Sequence, residues 1–61
     1  MPATVDAKLI DLALELRHQT ARAFLVHDGH KDIWLPKTLV EDNGDGTFTM
    51  PEWLAKREGL I

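Results

Sequence analysis

The spacing of the apolar residues changes about one third of the way along the chain. In residues 5–19 apolar positions recur three and four residues apart, which is the spacing of one helical face. The residues on this face are Val5, Leu9, Leu12, Ala13 and Leu16. Either Thr4 or Asp6 can cap the segment at its N-terminus. The pattern therefore predicts an N-terminal helix over residues 5–19.

From residue 20 onward the pattern is typical of β-strands. Residues 20–27 and 32–35 are two such runs, and the sequence DG at 28–29 favours a hairpin between them. The hairpin loop contains either two or four residues. In both registers one face carries Phe24, Val26, Ile33 and Leu35, and the other carries Ala23, Leu25 and Trp34. We expect a helix to cover the first face, while the second needs another helix or another molecule.

Two further strands are predicted around a glycine-rich turn. Pro36 ends the second strand because it has no N–H to donate to a ladder. Residues 39–42 and 47–50 then flank the sequence NGDG at 43–46, which is a strong turn signal. We expect the four strands to form an antiparallel meander. The residues expected to point inward from the last strand are Phe48 and Met50.

The last helix is predicted over residues 51–58. Thr49 and Glu52 have the spacing of a capping box, and Pro51 suits the first helical turn. Gly59 is placed to end the helix in a left-handed conformation. The apolar residues expected to be buried around this helix are Trp53, Leu54, Leu60 and Ile61.

These elements predict an α+β fold in which residues 1–61 form one domain with an N-terminal helix, a short antiparallel meander and a short C-terminal helix. A chain of 61 residues buries only about 60% of its unfolded surface. The sequence contains no cysteine, so disulfide bonds cannot add stability. We therefore expect a homo-oligomer, such as a homodimer, or an obligate complex.

The formal charge of −3 argues against binding to free nucleic acid, which requires a concentrated basic surface. A protein that itself binds nucleic acid would attract an acidic chain. Direct nucleic-acid binding remains an alternative that would use Arg17, Arg22, Lys31 and Lys37. No apolar run is long enough to cross a bilayer and no secretory signal pattern is present, so we expect a cytoplasmic protein.

Residues 41–52 resemble the calcium loop of the EF-hand family. The candidate ligands in this register are Glu41, Asn43, Asp45, Thr47 and Glu52. The resemblance departs from the family at the first ligand, where Glu41 replaces the shorter aspartate, and in the preceding segment, which contains Pro36. The alternative interpretation is a tight turn followed by a capped helix, which requires no metal.

A second possible metal site lies at the first hairpin, where His27 and His30 flank the turn. In a two-residue turn these rings would face one another, with Asp32 nearby as a third ligand. The alternative is that both histidines are solvated loop residues. No nucleophile–base pattern, phosphate loop or dinucleotide fingerprint is present. We therefore expect no catalytic residue, no cofactor and no enzymatic activity.

The tryptophans are better candidates for function than the histidines. Tryptophan is among the residues most enriched in interface hot spots, and Trp34 lies on the sheet face away from the predicted core. The alternative is that the N-terminal helix covers Trp34. The candidate partner-binding residues are Trp34, Leu25, Asp28, Asp32, Glu41, Asp42 and Asp45.

The chain from residue 23 onward resembles a set of small bacteriophage and prophage accessory proteins. The segments that carry the resemblance are residues 33–38 (IWLPKT), 47–50 (TFTM), 51–55 (PEWLA) and 59–61 (GLI). The resemblance implies a protein that binds host or phage nucleic-acid machinery and inhibits it, as anti-CRISPR proteins do. It implies no catalytic residue.

Overall fold

The computed structural model describes residues 8–61, which form six β-strands and one short helix. In chain order the elements are β1 (Leu9–Ala13), β2 (Glu15–Gln19), β3 (Ala23–His27), β4 (Asp32–Pro36), β5 (Glu41–Asp42), β6 (Thr47–Pro51) and α1 (Glu52–Arg57). The prediction of an α+β fold is therefore wrong, because the described chain is mostly β. Within residues 8–61, no helix has the length and apolar character needed to cross a bilayer.

The predicted N-terminal helix is wrong as well. Its residues 9–19 form β1 and β2, and its residues 5–7 lie outside the described part of the chain. The apolar positions in this segment also fit a period of two, since Ile10, Leu12, Leu14 and Leu16 alternate with other residues. Helix propensities differ by less than about 0.7 kcal/mol per ordinary residue. Strand pairing and burial outweigh that local preference here.

The strands form two antiparallel sheets of three strands each, in the orders β1-β6-β5 and β2-β3-β4. The predicted single meander is wrong because β4 and β5 are not neighbours. Only Leu14 separates β1 from β2, so one extended segment passes from the first sheet into the second. The N–H of Leu14 donates to the carbonyl of Gly46 over 3.1 Å, which holds this crossing point against the β5–β6 turn.

A single apolar core lies between the inner faces of the two sheets. The residues predicted to point inward are confirmed as buried. They are Phe24, Val26, Ile33 and Leu35 in the β2-β3-β4 sheet and Phe48 and Met50 in the β1-β6-β5 sheet. Phe24 and Phe48 join the sheets through an edge-to-face contact with ring centroids 5.4 Å apart. The inner face of β3 and β4 is predicted to pack on a helix. Phe48 of the other sheet contacts this face, and Leu54 and Ala55 of α1 belong to the same buried cluster.

The β3–β4 hairpin has a loop of four residues, 28–31, so the two-residue alternative is wrong. Gly29 in this loop has a φ of 102°, a conformation that few other residues adopt. The predicted division of faces is confirmed. Phe24 is paired with Leu35 on the buried side, and Leu25 is paired with Trp34 on the outer side.

The start of α1 differs from the prediction. Pro51 is the N-cap residue and no side chain caps the helix, so the capping box is wrong. The Thr49 hydroxyl donates to Asp11 on β1 instead. The backbone N–H of Glu52 donates to the carbonyl of Lys8 over 2.7 Å. Trp53, expected to be buried, is 46% exposed, whereas Leu54 is buried.

The end of α1 matches its prediction more closely. Gly59 has a φ of 76°, as a left-handed C-terminal residue requires. The N–H of Gly59 donates to Lys56, and the N–H of Leu60 donates to Ala55, which is the hydrogen-bond pattern of a Schellman motif. Leu60 packs against the core, as predicted. Ile61 was expected to do the same but is 55% exposed.

The shared core predicts a large difference between two leucine truncations. Leu35 on β4 is fully buried, and Leu35→Ala should lower the free energy of unfolding by about 3 kcal/mol. Leu9 on β1 is 63% exposed, and Leu9→Ala should change it by less than about 0.5 kcal/mol. Urea denaturation followed by circular dichroism measures both values. Equal effects of the two substitutions would contradict the assignment of the core.

Candidate functional site

The outer face of the β2-β3-β4 sheet carries a row of apolar and aromatic side chains. The strand register aligns His18 on β2 with Leu25 on β3, and Leu25 with Trp34 on β4. The His18 and Trp34 rings meet edge to face with centroids 6.4 Å apart, so they approach each other above Leu25. Leu25 is half-buried, and Trp34 is 51% exposed. We call His18, Leu25 and Trp34 the tryptophan row.

A charged row lies beside the tryptophan row on the same face. Glu15, His27 and Asp32 are aligned across the three strands. The ring Nδ1 of His27 lies 2.8 Å from a carboxylate oxygen of Asp32. Arg17 lies 3.6 Å from Glu15 and 3.8 Å from Asp32, so its guanidinium group connects the two ends of the row. These exposed contacts orient the side chains and contribute little stability.

A β-bulge brings two consecutive residues to this outer face. Leu16 is paired with Val26, and the next aligned pair is His18 with Leu25, so Arg17 is the extra residue on β2. In a regular strand His18 would point to the same side as Leu16. Because of the bulge, Arg17 reaches Asp32 while His18 reaches Trp34.

Sequence reasoning missed Arg17 and His18 as members of this site because it assigned them to a helix. The alternation of apolar residues from Ile10 to Leu16 could have identified the strand. No residue in that segment signals the bulge, since neither glycine nor proline occurs there. The position of His18 therefore depends on a feature that the local sequence does not mark.

The predicted partner-binding residues are divided between the two sheets. Leu25, Trp34 and Asp32 share the outer face just described, and Asp28 lies in the adjoining β3–β4 loop. The remaining three, Glu41, Asp42 and Asp45, belong to β5 and the β5–β6 turn of the other sheet. The alternative in which the N-terminal helix covers Trp34 is wrong, because residues 9–19 are strands and Trp34 is half exposed.

Two aspartates in the hairpin loops accept hydrogen bonds that favour their charged forms. One carboxylate oxygen of Asp28 accepts the N–H groups of Lys31 and His30 at 2.9 and 2.8 Å, which lowers the pKa of Asp28. The Asp45 carboxylate accepts the hydroxyl and the N–H of Thr47, which lowers the pKa of Asp45. Both carboxylates thus act as acceptors that hold their loops in shape.

The side chains of the calcium-like loop form a hydrogen-bonded chain among themselves. The Asn43 amide donates to the hydroxyls of Thr47 and Thr49 at 3.1 and 2.9 Å. These hydroxyls donate in turn to Asp45 and Asp11. Across residues 8–61, no three histidine or acidic side chains come together as a metal site would require. The remaining candidate ligands, Glu41 and Glu52, lie on β5 and α1 respectively.

The histidine pair and the basic residues are also dispersed. With a four-residue loop His27 contacts Asp32, so the two-residue geometry that would make His27 and His30 face each other is wrong. Arg22 and Lys37 lie at one end of the β3–β4 hairpin, and Lys31 lies at the other. The four residues of the nucleic-acid alternative therefore form no single basic patch.

Comparison with known proteins gives matches to a very small part of a large enzyme. A 60-residue alignment with N-(5-amino-5-carboxypentanoyl)-L-cysteinyl-D-valine synthase of Penicillium rubens is 37% identical and covers 93% of this chain. The synthase of Penicillium chrysogenum aligns with the same identity and coverage. The chain spans about 2% of the length of these curated relatives. No protein-family model and no solved structure matches the chain.

The lowered pKa values of the two loop aspartates predict an acid-sensitive stability. Because each folded-state pKa lies below the ordinary value of 3.8, the stabilisation is complete above that pH and is lost as the pH falls through the lowered pKa. Asp45→Asn should therefore flatten the fall in Tm below pH 4, measured by thermal denaturation between pH 2 and 6. Glu58→Gln is the control, since within residues 8–61 the Glu58 side chain makes no hydrogen bond or ion pair. Identical acid profiles for wild type and Asp45→Asn would contradict this role of Asp45.

Proposed function

We propose that this chain is a non-enzymatic phage or prophage accessory protein that acts by protein–protein contact through the outer face of the β2-β3-β4 sheet. The observation that carries the proposal is the exposure of Trp34 in the middle of a strand, flanked by Leu25 and His18. A tryptophan with half of its surface in water loses that exposure on binding, and the burial of apolar area supplies affinity.

The tryptophan row suits an interface anchor because its backbone is rigid. Leu25 and Trp34 are directly opposite each other on paired strands whose inward side chains are buried in the core. The His18 ring packs edge to face against the indole. An anchor that is ordered before binding loses less conformational entropy when the complex forms. Hot-spot residues of this kind are typically surrounded by a polar rim, and the charged row occupies that position.

The charge of the chain favours a partner with a basic surface. The formal charge is −3, Asp32 lies in the row beside the tryptophan row, and Asp28 lies in the adjoining β3–β4 loop. Opposite charges accelerate encounter and select among partners, while the desolvated aromatic group supplies most of the affinity. A nucleic-acid-handling protein has such a basic surface. The mechanism is then occlusion, in which this chain covers the surface that host nucleic-acid or defence machinery uses.

The similarity to the Penicillium synthases adds no reaction to this proposal. The aligned segment is about 2% of the length of an enzyme whose name describes the whole protein. The resemblance of residues 33–38 and 51–55 to phage accessory proteins supports a binding role instead.

The proposal predicts different effects of the two tryptophans on binding. The partner is first captured from a host lysate on immobilised protein, identified by mass spectrometry and purified. Trp34→Ala should then weaken its Kd about 30-fold, equivalent to about 2 kcal/mol, in a calorimetric titration. Trp53→Ala is the matched control, since Trp53 is exposed to a similar degree but lies on α1. An unchanged Kd for Trp34→Ala, or an equal loss for both variants, would refute the assigned face.

The calcium-binding alternative predicts a different result. If residues 41–52 form a calcium site, millimolar calcium chloride should release heat on titration and raise the Tm of the isolated chain. We expect neither effect, because Asn43, Asp45 and the threonines of this loop are hydrogen-bonded to one another. Magnesium chloride at the same concentration is the control for ionic strength. A calcium-specific rise in Tm that Asp45→Asn abolishes would favour the alternative.

A further inference from the structure

The edge of the β2-β3-β4 sheet at β4 has free backbone hydrogen-bonding groups. The N–H of Asp28 donates to Lys31 at one end of the hairpin, and the N–H of Lys37 donates to Arg22 at the other. Because hydrogen-bonded pairs alternate along an antiparallel ladder, the intervening bonded residues of β4 are Ile33 and Leu35.

The other β4 residues direct their backbone groups away from β3. Pro36 has no N–H, and its carbonyl accepts the N–H of Leu39 over 3.1 Å. The N–H and C=O groups of Asp32 and Trp34 have no backbone or side-chain partner within residues 8–61. A row of free groups of this kind is a template for another extended chain.

The other sheet edges in residues 8–61 carry features that oppose pairing. The β2 edge has a bulge and the charged residues Glu15 and Arg17, and β5 has only two residues, both acidic. The β1 edge is the closest competitor. The hydrogen bonds at both ends of β1 leave the backbone N–H and C=O groups of Leu9, Asp11 and Ala13 pointing away from β6. Two copies of β1 that pair through all three residues are therefore related by an axis at Asp11. Two Asp11 carboxylates would then lie directly opposite each other, which is destabilising.

We propose that β4 pairs antiparallel with β4 of a second copy of this chain, about a two-fold axis at Ile33. In this register Asp32 of each copy is opposite Trp34 of the other, so every free N–H of one edge meets a free C=O of the other. No two like charges face each other. A register centred on Trp34 would place Asp32 opposite Pro36, which has no N–H to donate.

The pairing produces one continuous six-stranded sheet in the order β2-β3-β4-β4-β3-β2. The outer face of this sheet carries both tryptophan rows side by side, since Trp34 lies on the strand next to the axis. The new ladder also removes the unpaired edge of a chain too small to bury much of its own surface. The dimer is independent of the proposed function, because it depends on the backbone of β4 and not on a partner protein.

The mass of the full chain and the exchange of its amide hydrogens test the proposal together. Light scattering after size exclusion should give twice the 6.9 kDa of one chain, falling toward the monomer on dilution. In the dimer the amides of Asp32 and Trp34 should exchange at least tenfold more slowly than at monomeric concentrations, as measured by NMR. The outward amides of Leu9 and Asp11 on β1 should not change with concentration.

Disulfide trapping tests the register. The chain has no cysteine, so D32C and W34C each introduce a single thiol. In the proposed register these positions form a hydrogen-bonded pair with Cα atoms about 5.5 Å apart, which a disulfide spans. A mixture of D32C and W34C chains should form a covalent heterodimer in a mild redox buffer much faster than either chain alone.

Three results would each overturn the proposal. The first is a monomeric mass at millimolar concentration. The second is a dimer that protects the amides of Leu9 and Asp11 instead of those of Asp32 and Trp34. The third is rapid self-linking of W34C, which would place the axis at Trp34. A failure of partner capture with an intact dimer would count against the proposed function alone.

Discussion

One apolar core shared by two small sheets is the constraint on which the rest of the structure depends. Strands β3, β4 and β6 contribute alternate buried side chains to it, and Ile10 and Leu12 of β1 pack against it. The Phe24–Phe48 contact joins the two sheets at a ring-centroid distance of 5.4 Å. Because the core is this small, every inward position of β3, β4 and β6 is apolar and buried. The side chains between them necessarily point outward, and that alternation is what exposes Trp34.

The second consequence of the shared core is the path of the N-terminal segment. The segment from Leu9 to Gln19 supplies one edge strand to each sheet, with Leu14 buried at the crossing between them. A helix of the same length could not pair with both β6 and β3. The hydrogen bond from Leu14 to Gly46 shows how the β5–β6 turn helps to hold this crossing. The same turn that resembles a calcium loop therefore has a structural role.

Features of the fold that depend on local patterning could be predicted from the sequence. The faces of the β3–β4 hairpin follow from alternation at Phe24 and Leu25, and the end of α1 follows from Gly59. The segment 9–19 could not be assigned with the same ease, since its leucines fit both a helical and a strand period. Long-range pairing with β6 and β3 decides between the two, and a local pattern does not encode the partner strand.

The candidate site, too, could be predicted only as far as local sequence patterns reach. Leu25 and Trp34 could be placed on one face from the hairpin alone, but His18 and Arg17 reach it only through a bulge. The acidic residues Glu41 and Asp42 lie on the other sheet because β5 pairs with β6 and not with β4. Which charges surround the tryptophan is therefore a property of the strand order.

The central claim is that residues 9–19 are strands of two sheets that share one core and leave Trp34 outside it. Proton NMR of the full chain tests this most directly through nuclear Overhauser effects between backbone protons. We predict cross-strand effects between Asp11 and Thr49 and between His18 and Leu25, which are paired in the two ladders. Effects between residues three and four apart across 9–19, without cross-strand effects, would show a helix and contradict the claim.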